Sequence, residues 1–181
     1  SIFSRPVGIE VLQPRLNLSY NIGEGWRLKT SYGRYTQSMI TVNNEDDVIS
    51  IFDAWIKVPD ALKSEQADHY VAGIEGNLAP TLSTSFQTYY KKYNSLVSYN
   101  RDKVDAFDPD YVNTRGEAYG FETLVRYGIP LVDFYAAYTW SWTTVTVNGF
   151  TYSPRYDRRH TLNLLSVVHP DDDVEIALRW E

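Results

Sequence analysis

The chain has no cysteine among its 181 residues, so disulfides and thiolate metal sites are excluded. Nor is there any run of about 18 apolar residues, which excludes a membrane-spanning helix. An excess of basic residues is lacking: 17 Lys and Arg against 23 Asp and Glu give a net charge of −6. A nucleic-acid partner is therefore not expected, since such proteins carry a basic stripe. His69, His160 and His169 stand at no ligand spacing from one another, and no metal site is expected. The sequence also lacks a nucleophile elbow, an HExxH pair and a glycine-rich phosphate loop, so neither enzyme chemistry nor a cofactor is expected. No secretory leader precedes the first pattern. The chain opens mid-pattern at "SIFSRPVG" and reads as a piece of something longer.

Tyrosine is abundant instead, at 15 residues with 5 tryptophans, and it is patterned. In "YVNTRGEAYGFETLVRYG", Tyr119, Phe121, Thr123, Val125 and Tyr127 alternate with Gly120, Glu122, Leu124 and Arg126. A period of two with unlike faces is a strand. The same alternation recurs in "PRLNLSYNI", "WRLKTSYGRY", "DHYVAGIEGN", "LSTSFQTYYKKY", "DFYAAYTWSW", "HTLNLLSVV" and "VEIALRW". That makes about eight strands, most at or above the roughly 9–11 residues that cross a bilayer at a tilt. A mean hydropathy of −0.38 does not oppose this, because polar residues facing a lumen offset apolar ones facing lipid.

Short turns at "GEG", "APT", "GIPL" and "HPDDD" alternate with longer polar links at about 40–66, 101–110 and 147–157. This rhythm predicts an all-β, antiparallel transmembrane β-barrel segment running up and down, with turns on the periplasmic side and links outside. The strand at 111–128 then descends, with Tyr119 at the outer interface, Tyr127 at the inner one and lipid against the aromatic face. A soluble β-sandwich or lipocalin would alternate too. Against it, strands of a dozen residues exceed the usual ~5–6 of globular sheets. Trp26, Trp140, Trp142 and Trp180 also gather towards strand ends rather than through a core.

The longest link carries Val48, Ile51, Phe52, Trp55 and Ile56 at helical spacing. Asn44 is placed to cap it, Glu45 to Asp47 favour its first turn and Pro59 ends it, so a short amphipathic helix is expected at 45–57. Whether that stripe packs on the barrel rim or docks a partner lipoprotein is open at this point. On the polar faces, Arg27, Lys29, Glu75, Glu122, Arg126 and Arg179 are expected to line the lumen, as mutually neutralising charges or as a track for a ligand. In the last outer link, "VNGFTYSPRYDRR" sets Phe150, Tyr152 and Tyr156 among Arg155, Arg158 and Arg159. Aromatic planes beside guanidinium groups suit an anionic, partly aromatic ligand, with Tyr152, Arg155, Tyr156 and Arg158 as its contacts. Alternatively these groups brace the rim against Asp105, Asp108 and Asp110.

The segments "PRLNLSYNI…WRLKTSYGRYTQ", "ADHYVAGIEGNL", "FQTYYKKYNSLVSYN", "YVNTRGEAYGFETLVRYG", "YTWSW" and "SPRYDRRHTLNLL", in that order, resemble the later part of a TonB-dependent receptor barrel. "YYKKYNSL" and "NTRGEAYGFE" are most similar to receptors of the Bacteroidetes type. The resemblance runs from about Pro14 to Trp180. It implies a barrel of about 22 strands closed by a plug, so residues 1–181 read as a barrel segment with neither plug domain nor TonB-contacting segment. Glu181 after Trp180 departs from the aromatic ending usual in such barrels. By the same resemblance the location is the outer membrane of a Gram-negative cell. Its partners are then outer-membrane lipid, the remainder of the barrel, TonB through the plug, and an imported ligand such as a ferric siderophore. The alternative is a complete eight-stranded barrel of structural or adhesive role. Its narrow lumen would be loosely filled by Ser83, Ser85, Gly116, Ala118, Gly120 and Ala137.

Overall fold

The computed structural model describes residues 12–42, 54–100, 102–171 and 173–181. Eleven strands follow in chain order: β1 (Arg15–Gly23), β2 (Trp26–Gln37), β3 (Met39–Val42), β4 (Ala54–Lys57), β5 (Glu65–Ala79), β6 (Leu82–Tyr99), β7 (Tyr111–Ile129), β8 (Val132–Val147), β9 (Phe150–Tyr152), β10 (His160–Asp171) and β11 (Val174–Trp180). The main sheet runs β1-β2-β5-β6-β7-β8-β10-β11, each strand antiparallel to its sequence neighbour in that series. This is the expected meander, and it is all-β.

The turns on one edge are tight. Gly23, Glu24 and Gly25 join β1 to β2 with positive φ at all three, a conformation that glycine adopts without a Cβ penalty. On the opposite edge the links carry structure of their own. Asn148 (φ 49°) and Gly149 (φ 85°) form a two-residue hairpin loop between β8 and β9, the Asn-Gly pairing that a type I′ turn favours. The link at 147–157 thus contains a strand that the sequence reading did not anticipate.

The expected helix at 45–57 is corrected where it is described. Ala54–Lys57 is a strand, β4, paired antiparallel with β3 through Ile40↔Ile56 and Thr41↔Trp55. Over four residues a helical stripe and a strand alternation cannot be told apart, and the aromatic and β-branched side chains found a partner strand in Met39–Val42. Ile40 and Val58 are buried there. Val48, Ile51 and Phe52 lie outside the described residues.

Among the described residues no second layer covers the main sheet. Among the described residues no large side chain is less than 2% exposed, while Leu16, Leu18, Tyr20, Leu28, Ile74 neighbours such as Phe86, and Leu178 stand open on it. A sandwich would hide one face in a core, so that alternative fails. The eight strands do not close on themselves either, since β1 and β11 lie at opposite ends of the order and do not pair. Every residue of both edge strands is exposed. Unpaired strand edges are not tolerated in lipid, so a self-contained eight-stranded barrel is not what this sheet forms.

Candidate functional site

Register assigns every side chain to one of two faces. On the apolar face one continuous row reads Leu16, Tyr32, Tyr70, Tyr90, Tyr119 and Trp142 across six strands. Its rings touch: Tyr32 and Tyr70 lie 5.1 Å apart, Tyr70 and Tyr90 6.2 Å. Further towards the tight turns come Phe121 and Trp140, stacked at 5.7 Å, with Phe86 5.6 Å and Tyr138 6.0 Å from Phe121. A second aromatic row, Leu82, Tyr127, Phe134, Ser166 and Leu178, stands near the turns. From Tyr119 to Tyr127 the strand advances about 27 Å, or about 20 Å along the normal at a tilt near 40°. That is close to the apolar band of an outer-membrane barrel.

The opposite face is polar. Arg27, Lys29, Glu75, Glu122, Arg126 and Arg179 all fall on it by register. Glu75 takes both cations opposite it, with Lys29 Nζ at 2.5 Å and Arg27 at 3.5 Å. Glu122 and Arg126, four apart on β7, turn to different partners. Glu122 accepts from Gln87 Nε2 at 3.0 Å. Arg126 reaches Asp133 at 3.4 Å and lies over the Tyr135 ring at 5.3 Å. Arg179 pairs with Glu181. These groups are largely exposed, and each pair is worth about 0–1 kcal/mol.

Towards the long links the same polar face changes character. One row reads Tyr35, Ala67, Tyr93, Gly116, Val145 and Tyr152. Beside it His69 bridges Tyr35 at 4.6 Å and Tyr93 at 6.4 Å. Arg15 sits over Tyr35 at 4.8 Å, and Lys91 over Tyr89 at 5.1 Å. Small residues beside them make room for these rings. A Cβ added at Gly33 would lie 2.8 Å from the Tyr35 ring, and one at Gly120 only 2.9 Å from the Tyr89 hydroxyl. The glycines that looked like loose filling are seats for neighbouring tyrosines. The sequence reading missed this band of aromatic rings and cations. The signal was present in "YYKKY", where Tyr89, Lys91 and Tyr93 share a face.

Of the loop residues singled out from sequence, Tyr152 lies in β9 and joins this band by register through Val145. Arg155, Tyr156 and Arg158 follow in the link between β9 and β10. Arg159 is held at the rim, its guanidinium 3.3 Å over the Trp142 ring and 2.7 Å from Asp157. Asp157 also accepts from the Thr143 amide at 3.2 Å. The acidic link at 102–110 makes contacts within itself. Lys103 pairs with Asp110 at 2.6 Å, and Asp108 accepts the amides of Val104 and Asp105 at 3.0 and 2.9 Å. Those backbone donors hold the Asp108 carboxyl below its ordinary range. Asn148 Nδ2 donates across to Asp102 of the neighbouring link at 2.9 Å.

No curated protein sequence matches the chain. Among solved structures it is similar in fold to the ferric-catecholate import receptor Fiu from E. coli K12 in its closed form. The TM-score is 0.63 at 17% identity, over 91% of this chain and 23% of that one. The chain therefore spans 23% of the length of that receptor. The family described as TonB dependent receptor-like, beta-barrel matches residues 8–180. With nearly its whole length matched, and with the open meander and two-faced register described above, the chain belongs to the TonB-dependent receptor β-barrel family.

Proposed function

We propose that the chain is a barrel segment of an outer-membrane importer energised through TonB, and that its ligand is large, anionic and partly aromatic, such as a ferric siderophore. The apolar face meets lipid, the polar face meets the lumen, and the long links face outward. The remaining strands, the plug and the TonB-contacting segment would come from the rest of the receptor. Arg27, Lys29, Glu75, Glu122, Arg126 and Arg179 then line the lumen. No catalytic role is proposed for any of them.

The observation that carries the reading is the band at the loop end of the polar face. Tyr35, Tyr89, Tyr93 and Tyr152 offer ring planes, while Arg15 and Lys91 offer positive charge beside them. Such a surface holds an aromatic anion by stacking and charge-assisted hydrogen bonds. Tyr152, Arg155, Tyr156 and Arg158 extend it towards the outside. The similarity to a receptor named for ferric-catecholate import agrees in chemistry with this choice.

The test uses the receptor and an iron(III) tris-catecholate probe. Replacing Tyr93 and Lys91 with alanine weakens probe binding without altering heat-modifiable barrel migration. Tyr152→Ala with Arg155→Ala weakens it as well. Uptake of the bound probe stops when TonB is deleted. Unchanged affinity in stable variants removes the site, and uptake that persists without TonB removes the transport reading.

A further inference from the structure

Two of the long links are fastened to each other by a side chain that can destroy its own contact. Asn148 Nδ2 donates to Asp102 Oδ2 at 2.9 Å, which ties the hairpin between β8 and β9 to the link between β6 and β7. Asp102 is set in place in turn, its amide donating to Asn100 Oδ1 at 3.2 Å. Asn148 and Gly149 are both exposed, and both have positive φ. The ladder closes around them through Val147 and Phe150, so the Gly149 amide lies outside the strand pairing.

No other asparagine in the sequence is followed by glycine. The distinction is chemical. An asparagine carboxamide is open to attack by the backbone nitrogen of the next residue, and a Cβ on that residue crowds the approach. Glycine has none. A Cβ built at Gly149 would meet nothing within 4 Å, so the surroundings also leave room for a ring. Attack by the Gly149 nitrogen on Asn148 Cγ forms a cyclic imide: the N–Cγ bond forms, the Cγ–Nδ2 bond breaks, and the amide proton leaves with Nδ2 as ammonia. Water then opens the imide at either carbonyl, giving aspartate or isoaspartate. The asparagines held inside strands differ. Asn94 donates to Asp68 at 2.6 Å, and Asn113 donates to the Lys63 carbonyl and Ser95 Oγ at 3.1 and 3.0 Å. The residues that follow them are Ser95 and Thr114, each with a Cβ in the way.

We propose that Asn148 is a deamidation site restrained by Asp102, and that its conversion unfastens the two links. Asp102 restrains it twice. Its hydrogen bond fixes the carboxamide, and its negative charge disfavours the amide anion through which Gly149 attacks. The product reverses the contact. A carboxylate at position 148 has no N–H to donate, and it meets the Asp102 carboxylate as like charge against like. Isoaspartate also adds a main-chain methylene to a turn built on two residues. The hairpin that carries Tyr152 is then released from its neighbour on a chemical clock that consumes only water.

The test is peptide mapping by mass spectrometry of the full-length receptor in detergent, sampled during incubation at mildly alkaline pH. Electron-transfer fragmentation separates aspartate from isoaspartate. The peptide holding position 148 gains one mass unit well before those holding Asn94 and Asn113. Asp102→Ala speeds that gain several-fold, and Gly149→Ala suppresses it. Heat-modifiable migration reports folding of the variants, and the wild-type comparison among the three asparagines stands without them. Position 148 converting no faster than 113, or Asp102→Ala leaving its rate unchanged, overturns the proposal. The unfastening is read directly as the distance between spin labels at Val104 and Phe150, which are 96% and 80% exposed. Asn148→Asp lengthens and broadens that distribution. Adding Asp102→Asn exchanges donor and acceptor and restores the wild-type distribution. An unchanged distribution in Asn148→Asp refutes the unfastening.

Discussion

Leu162→Arg tests the membrane placement through its energy. Leu162 pairs with Tyr138, whose partner on β7 is Thr123, midway between Tyr119 and Tyr127. That row lies about 10 Å along the normal from either aromatic mark, which is the depth of the midplane. An arginine on the lipid face at this depth costs about 2–4 kcal/mol. Four residues along the same strand, Ser166 pairs with Phe134 in the row of Tyr127, at the interface, where the cost falls to about 0–1 kcal/mol. Thr161 pairs with Thr139 and, through it, lies in the row of Glu122 on the polar face. An arginine there meets water and a carboxylate, so Thr161→Arg changes stability little. The assay is reversible guanidinium unfolding of the receptor from liposomes, followed by tryptophan fluorescence. The reasoning fails if Thr161→Arg costs as much as its neighbour, or if Ser166→Arg costs as much as Leu162→Arg.

Two further expectations follow from backbone and loop geometry. A Cβ at position 120 would lie 2.2 Å from the Trp140 carbonyl oxygen, so Gly120→Ala must part β7 from β8 and costs about 1–3 kcal/mol in the same unfolding assay. Gly149→Ala meets nothing within 4 Å and suffers only its positive φ, for about 1–2 kcal/mol, so a Gly120→Ala variant that unfolds no more readily than wild type refutes the close approach. The Asp108 carboxyl is depressed below its ordinary value of 3.8 by two backbone donors, so its contribution to loop order is full above that value and is lost as pH falls through the depressed one. Hydrogen exchange at Val104 and Asp105, corrected for intrinsic rate, should therefore hold steady down to about pH 4 and loosen only below it; Asp108→Asn should abolish the dependence.

The strands were legible because a half-wet strand has a period that sequence cannot hide. Tyr119, Phe121, Thr123, Val125 and Tyr127 sit on one face as read, and the short-long rhythm of the links marked the two ends of the sheet. What failed was local. Trp55 and Ile56 fitted a helical stripe, and only the presence of Met39–Val42 as a partner decided for a strand. The polar face was read as charges and small residues. Its tyrosines at 35, 89, 93 and 152 come from three strands, and a row that crosses strands appears only when the register is known. Gly116 and Gly120 looked like gaps for the same reason, since the rings that cover them belong to β6. Asp105, Asp108 and Asp110 were offered as partners for the arginines of the next link; in their own loop Lys103 reaches Asp110, and backbone amides reach Asp105 and Asp108.

The claim beneath all of this is that alternate residues of each strand face lipid and water. Cysteines placed singly at Leu28, Phe121 and Tyr138, and at Lys29, Glu122 and Thr139, test it against a stretch that has no cysteine of its own. In native outer membranes a membrane-impermeant thiol reagent should label positions 29, 122 and 139 and leave 28, 121 and 138 untouched. Equal labelling of the two sets, or the reverse pattern, would contradict the account.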